Sequence, residues 1–481
     1  MYKQKQSTCP FVQRSEQWAE IRGSGRLNAP SPFYLAGSGG SALSALWFSC
    51  TEHVVANGDL TNATAAAYKN SEYSESLSEY SHILSAMILR THHLELLRRQ
   101  LSNFPVVAIL GARQVGKTTL ARQLALDWDG PKRHFDLEDP DDQARLTDPA
   151  FILRDLKGLV VLDEVQLRPD LFPLLRVLAD RPGTPARFLI LGSAAPELLK
   201  ATSESLAGRV VFHELDGLAL NEIAPLALET DWLDSRWLRG GFPRALLADD
   251  LQLSREWRDA FIRTYLERDL PQLGINLPAL TLRRFWTMLA HYHGQTWNGS
   301  ELARALGVSD KTVSRYLDIL EGTFMAFRLT PWHANVGKRE VKAPKVYVAD
   351  SGLLHSLLGI GGHDALLAHP KCGASWEGFI LREIIRCFEA KRGEVFFWGV
   401  HAGAELDLLI LKDGQRLGFE IKLTKSPRVT ASMHSAKKAI GLNHLYVMCH
   451  GEGEPWALAQ EITAVPAACL ASEQWPLVAR R

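Results

Sequence analysis

Residues Phe104–Leu126 read FPVVAILGARQVGKTTLARQLAL, and this stretch decides the fold. Its apolar start has strand composition and its end has helical composition. Between them Gly111–Thr118, GARQVGKT, has the spacing G-x-x-x-x-G-K-[ST]. A loop of this kind lets successive backbone N–H groups turn inward around a polyphosphate, while the following helix adds partial positive charge at its N-terminus. Gly111, Ala112, Arg113, Gln114, Val115, Gly116, Lys117, Thr118 and Thr119 are therefore the expected nucleotide-binding residues. Lys117 is placed to reach the β- and γ-phosphates and the Thr118 hydroxyl to hold Mg²⁺.

Working outward, Gly158–Glu164 (GLVVLDE) is an apolar strand ending in two acids. Asp163 is the expected magnesium carboxylate and Glu164 the carboxylate that polarises water. Arg187–Ser193 (RFLILGS) is a second buried-type strand, and Ser193 at its end is placed to sense the γ-phosphate or the attacking water. Arg209, in SLAGRV, reads either as an arginine finger toward a neighbouring subunit of a homo-oligomer or as an ordinary surface arginine. From Phe104 to about His213 five such strands alternate with helical segments, which predicts a parallel sheet with helices on both faces.

A chain of 481 residues, 46% hydrophobic and 22% charged, is long enough for two or three domains with separate cores. Formal net charge is zero, so no wholesale polyanion-binding surface is implied and any nucleic-acid contact has to come from local basic patches. Six cysteines without paired metal spacing read as reduced thiols. No apolar run approaches the length of a membrane helix, and a cytoplasmic location with no membrane partner is expected.

Five regions are expected. Residues 1–86 are Ser-, Ala-, Gly-, Asn- and Thr-rich with little periodicity and read as a poorly structured extension ahead of Met87. An ATPase core over 87–218 is followed by a helical lid over 219–299. Within 300–350, SELARALGVSDKTVSRYLDIL reads as a helix-turn-helix with Ser300 and Ser309 as N-caps and Gly307 in the turn. Its outward Ser309, Lys311, Thr312 and Arg315 suit a DNA reader, and Lys338, Arg339, Lys342 and Lys345 in the following wing suit phosphates. A protein-docking or lid role for the same module stays open. Residues 351–481 carry Glu377 on a helix, Asp407 on a strand, and Glu420 with Lys422 on the next strand, where i and i+2 side chains share a face. Carboxylates beside a lysine form a site in which Mg²⁺ activates water and the lysine stabilises charge developing on a phosphate. The order helix, three strands, helix, strand resembles the PD-(D/E)XK nuclease core.

Taken together, GARQVGKTTLA, VVLDEVQ, LGSAAPELL, ESLAGR, YLERDLPQLG, GGFPRALL, KVYVADSGLL, and GAELDLL with EIK resemble a prokaryotic family of AAA-type ATPases that ends in a domain of unknown function. The resemblance runs from about Met87 to the C-terminus. It implies an α/β protein: a P-loop NTPase core of AAA/ASCE type, a helical lid with a winged helix, and a restriction-endonuclease-like α/β domain. It also implies ATP and Mg²⁺ as cofactors and ATP hydrolysis. Two functional classes follow, an ATP-driven switch acting on DNA and a nucleotide-dependent regulatory scaffold whose tail has lost its chemistry.

Overall fold

In a computed structural model the described residues are 88–183, 186–193, 204–224, 231–333, 343–400, 403–472 and 475. The extension expected over 1–86 lies outside them, as do Lys338, Arg339 and Lys342 of the expected wing.

Five parallel strands, β1 (Val106–Gly111), β2 (Lys132–Asp136), β3 (Gly158–Asp163), β4 (Ala186–Ser193) and β5 (Val210–Glu214), lie in the order β2-β3-β4-β1-β5. Because side chains alternate along a strand, the apolar runs feed both faces. Val107, Ile109, Leu159, Val161, Leu189 and Leu191 enter one core, and Val106, Ala108, Leu110, Val160, Leu162, Phe188 and Ile190 enter the other. Parallel pairing brings the C-terminal ends of β1, β3 and β4 to one edge, with Gly111 in register with Ser193. Loop, acids and strand-end serine therefore share that edge.

The helical region is not a detached lid. Phe261, Tyr265, Leu282, Phe285, Trp286 and Leu289 share a core with Val107, Leu120 and Leu124 of the nucleotide-binding sheet and its helix. Helix Leu251–Thr264 runs into a π-turn at Tyr265–Asp269, within the YLERDLPQLG motif. The two helices of the expected helix-turn-helix are Gly299–Leu306 and Asp310–Gly322, with Gly307 left-handed between them. Ser309 caps the second helix as expected, its hydroxyl accepting from Thr312 N–H. Asn298, not Ser300, caps the first, and Ser300 Oγ instead donates to Asp310. Asn at an N-cap is as good as Ser, and the helix starts two residues earlier than the sequence pattern indicated.

A second sheet has nine strands, in the order β13-β14-β12-β11-β10-β9-β7-β8-β6. Its members are β6 (Gln295–Thr296), β7 (Ala326–Pro331), β8 (Lys345–Val348), β9 (Val395–Gly399), β10 (Glu405–Lys412), β11 (Gln415–Lys422), β12 (His444–Cys449), β13 (Trp456–Ala459) and β14 (Ile462–Pro466). The hairpin β7–β8 that follows the two helices is joined by β7–β9 pairing to the C-terminal strands. The wing and tail regions thus share a sheet, and a boundary at residue 350 falls within a continuous structure. Helix Cys372–Cys387, strands β9, β10 and β11, helix Ala431–Ile440 and β12 follow one another in the chain order expected for the tail. β9–β10–β11 is an antiparallel meander and β12 lies parallel to β11.

Two sequence motifs meet where GGFPRALL crosses KVYVADSGLL. Gly241 N–H donates to Asp350 at 2.7 Å, and Asp350 also caps helix Ser351–Leu357 through Leu353 N–H at 2.9 Å. A Cβ at Gly240 would stand 2.2 Å from the Asp350 carboxylate, so a larger residue is excluded there.

Charged side chains bind the nucleotide-binding sheet to the tail. Asp216, just after β5, receives Arg382 at 2.5 Å and Arg386 at 3.2 Å, both from helix Cys372–Cys387. On the same helix Glu383, 1% exposed, accepts from Arg236 at 3.1 Å, from Arg386, and from Leu220 N–H at 3.1 Å. Removing one member of a buried ion network strands the others without compensation. Glu383→Ala is expected to destabilise the protein by roughly 3–5 kcal/mol in denaturant unfolding, the range for breaking a buried pair; a loss below about 1 kcal/mol, typical of exposed pairs, would show that the network is solvated.

Candidate functional site

The loop after β1 has the geometry of an anion cradle. Gln114 at φ 65° and Gly116 at φ 98° both turn left-handed. Alternation of hand points successive N–H groups into one concavity. Gly116 is required because a side chain at that φ is strained, while Gln114 tolerates it at an exposed position. Lys117, 5% exposed, donates through Nζ to the carbonyls of Gly111 at 3.1 Å and Ala112 at 2.9 Å. Burial pushes its pKa down, opposed by the carboxylates of Glu164 and Asp163. Thr119 lies half-buried on the helix that the loop starts.

Across the edge, Thr118 Oγ1 donates to Asp163 Oδ2 at 2.7 Å. A hydroxyl and a carboxylate held together suit a hard divalent cation. Burial raises the Asp163 pKa and the Thr118 bond opposes the rise. Glu164 is left-handed at φ 53°, uncommon for a residue with a side chain, and its carboxylate accepts from Gln166. Ser193 closes β4 beside Gly111, and its side chain is outside the description. These residues fit a nucleotide with Mg²⁺.

Arg209 is at the opposite end of the sheet. Its carbonyl accepts from Val106 N–H at the start of β1, and its guanidinium grips Asp180 through two bonds of 2.6 and 2.8 Å. It does not reach its own chain's loop.

Two further arginines bracket the loop. Arg113 leaves it to bond Glu138 at 3.0 Å, Asp269 at 2.9 Å and Gln272 at 2.9 Å, so the π-turn is latched to the loop beside a cleft that Tyr265, Thr323 and Met325 also line. Arg90, buried behind the loop, pairs with Glu222 at 2.6 and 2.9 Å and donates to the carbonyls of Val115 at 3.4 Å and Asp216 at 3.1 Å. Burial works to raise the Asp216 carboxyl, but Arg382 and Arg386 outweigh it and hold the group well below the usual range. Loop backbone, Arg90, Asp216 and the tail helix therefore form an unbroken run of polar contacts.

In the tail, the β10–β11 register sets Leu408 opposite Phe419 and hence Asp407 opposite Glu420. Lys422 Nζ lies 2.7 Å from Glu420 Oε1 and 4.0 Å from Asp407 Oδ2, and Asp407 accepts from Ile421 N–H at 2.8 Å. Glu377 is otherwise engaged, accepting from Tyr347 OH at 2.6 Å and from Lys345 at 3.4 Å. Lys345 also pairs with Glu405. Among the described residues, no three His, Cys, Asp or Glu side chains are gathered closely enough to hold a metal ion as they stand. Glu420 Oε2 is nonetheless buried without a partner, and an orphaned carboxylate oxygen beside Asp407 fits a hard cation. Lys345, expected on the surface of a phosphate-binding wing, is 6% exposed and faces carboxylates. Lys311 and Arg315 of the expected reading helix are exposed, whereas Ser309 and Thr312 are bonded to each other.

Residues 103–224 match a family model described as an AAA domain, 230–364 a domain of unknown function (DUF8612), and 372–470 another (DUF4143). These matches define an AAA-type P-loop ATPase family with domains of unknown function appended. The chain belongs to the family of the uncharacterized proteins Rv2008c of Mycobacterium tuberculosis and Mb2031c of Mycobacterium bovis, to each of which it is 48% identical over 371 residues, 77% of this chain and 82% of theirs. Among solved structures it is similar to the Walker-type ATPase paby2304 of Pyrococcus abyssi, at 15% identity and TM-score 0.43 over 57% of this chain and 97% of that one. Another is the signal-transduction ATPase PH0952 of Pyrococcus horikoshii, at 13% identity and TM-score 0.26 over 63% of this chain and 45% of that one. No described helix is long and apolar enough to cross a membrane.

Sequence reading missed Arg90, Asp216, Glu222 and Glu383, whose partners are remote in the chain. It missed Tyr347 and misplaced Lys345, although KVYV carried a signal: a lysine two residues from a tyrosine in an apolar strand puts both on one face.

Burial, with the Asp407 carboxylate nearby, pushes Glu420 and Glu377 up to about 7 from the ordinary 4.5. The folded protein then keeps protons that the unfolded chain has released, so these groups cost stability progressively as pH rises from 4.5 to 7. Half-buried His93 and buried His213, held down to about 2 and about 4, act oppositely below 6.5, which makes the difference between proteins the readout. Relative to Glu420→Gln, the parent is expected to lose stability steadily over pH 4.5–7 in urea unfolding; parallel curves would show that Glu420 titrates normally.

Proposed function

We propose that this protein is a Mg²⁺-dependent ATPase whose nucleotide cycle switches a nuclease-like, DNA-binding tail. The observation that carries the coupling is the run of contacts from Val115 through Arg90 and Asp216 to Arg382, Arg386 and Glu383. A triphosphate in the cradle competes with the loop carbonyls for the Lys117 ammonium. Glu164 accepts a hydrogen bond from the attacking water and aligns it with the γ-phosphate. Thr118 and Asp163 would hold Mg²⁺, which would supply charge neutralisation at the phosphate oxygens. Any shift of the loop backbone moves Arg90 and, through Asp216, the helix that carries Glu377.

The nuclease-like reading of the tail is supported by its element order and by Asp407, Glu420 and Lys422 on paired strands. Exposed Lys311 and Arg315 support duplex contact. In that reading Lys422 stabilises charge on a scissile phosphate and the carboxylates hold the metal. A homo-oligomer would use Arg209 as a finger only after its release from Asp180. The alternative, a regulatory scaffold with an inactive tail that binds protein partners, is favoured by one observation: Glu377 is taken up by Tyr347 and Lys345.

Calorimetry, turnover and plasmid nicking test the proposal together. Lys117→Ala should abolish tight ATP binding, and Glu164→Gln should keep binding while hydrolysis falls by 100-fold or so, the scale of a lost water-positioning group. DNA should stimulate turnover, and metal-dependent nicking should vanish in Asp407→Ala and Lys422→Ala. Full turnover by the glutamine variant would remove Glu164 from its role. Turnover indifferent to DNA, with no nicking by the parent, would favour the scaffold.

A further inference from the structure

Lys345 has no place in the tail motif that the sequence displays, because it comes from β8, ahead of that domain in the chain. Yet its ammonium group lies between Glu377 of helix Cys372–Cys387, at 3.4 Å, and Glu405 at the start of β10. Tyr347, two residues along β8 and thus on the same face, donates to Glu377 at 2.6 Å. β8 reaches this position because β7–β9 pairing fuses the hairpin to the tail sheet. The Lys345 ring contact with Phe397, 5.6 Å from its centroid, holds the ammonium in place from the β9 side.

Lys345 pairs with Glu377 and Glu405, Lys422 with Asp407 and Glu420, and the two sets lie close enough for Asp407 to act electrostatically on Lys345 and Glu377. The two lysines are not equivalent. Lys422 is 41% exposed in its side chain, whereas Lys345 is 8% exposed and enclosed. Formally two negative charges are left over, and the unpartnered acceptor among them, Glu420 Oε2, is buried on a residue 6% exposed. That oxygen points to a ligand independently of the acidic cluster, since a buried carboxylate oxygen without a donor is costly.

We infer that Lys345 is a fixed internal counter-cation of the tail site: it takes the place of a divalent ion at Glu377 and Glu405, leaving room for a single Mg²⁺-class ion at Asp407 and Glu420 and setting how tightly that ion binds. The inference rests on reading the tail as a metal site and adds that the site is composite, completed by a strand from the preceding module. An ammonium group within a few ångströms of a divalent ion repels it, and at low dielectric the repulsion is large. Removing that charge should tighten metal binding, the reverse of what loss of a ligand does.

The test is Mn²⁺ binding to the full chain without nucleotide, by calorimetry and by the electron paramagnetic resonance of free Mn²⁺, in an Asp163→Asn background that silences the nucleotide site. Lys345→Met should bind Mn²⁺ on the order of tenfold or more tightly than the background protein, while Lys345→Arg, which keeps the charge, should stay within about threefold. Asp407→Asn should abolish binding. Circular dichroism and melting of each variant separate lost metal affinity from lost fold, and the arginine variant provides a second folded comparison. Equal or weaker affinity in a folded Lys345→Met, with binding still dependent on Asp407, would overturn the counter-cation and leave the metal site standing. Absence of Mn²⁺ binding in every folded variant would overturn both.

Discussion

Asp216 and the two arginines that grip it are the constraint on which the arrangement depends. The carboxylate sits directly after the last strand of the nucleotide-binding sheet, and its partners project from helix Cys372–Cys387 of the tail. One guanidinium nitrogen of Arg90, Nη1, donates both to the Asp216 carbonyl and to the phosphate-loop carbonyl of Val115. Ion pairs of this kind contribute little net stability against an apolar replacement, but breaking them is expensive. Their effect is on geometry: the tail helix cannot shift relative to the loop without leaving a buried charge exposed to low dielectric.

Apolar packing follows the same plan. One face of the five-stranded sheet packs against the helical region and its two capped helices, so the π-turn and Arg113 meet at the loop's open side. The tail has its own core, built by helix Cys372–Cys387, Trp237 and the meander strands. Nucleotide loop and carboxylate cluster thus belong to different cores, joined by the charged contacts and by Leu218, Leu220 and Ile223, which follow β5 and enter the tail core.

Legibility in the sequence depended on the range over which the signal acts. GARQVGKT, VVLDE and the Ser309 cap are local, fixed by spacing within a few residues, and the structure places each on the element its pattern indicates. The strands were readable because apolar runs bounded by turns leave few alternatives. Asn298 was passed over as a cap because Asn and Ser serve equally and only the backbone distinguishes them. Strands β13 and β14 escaped notice because WALA and ITAVP are short and β13 is mostly exposed. Arg90, Asp216 and Glu383 were invisible for a different reason: their partners lie 126, 166 and 147 residues away, and a charged residue in a chain gives no indication of what it will face. Lys345 shows the same limit, since a basic cluster and a buried counter-cation look alike until β8 is seen beside β9 through β7.

The claim that the loop and tail respond as one unit can be measured by hydrogen exchange. Backbone amides of helix Cys372–Cys387 should change their protection when a slowly hydrolysed ATP analogue saturates the loop, because Arg90 and Asp216 carry the displacement to that helix. A response confined to the loop and the strands beside it, with the tail helix exchanging at its nucleotide-free rate, would contradict the account.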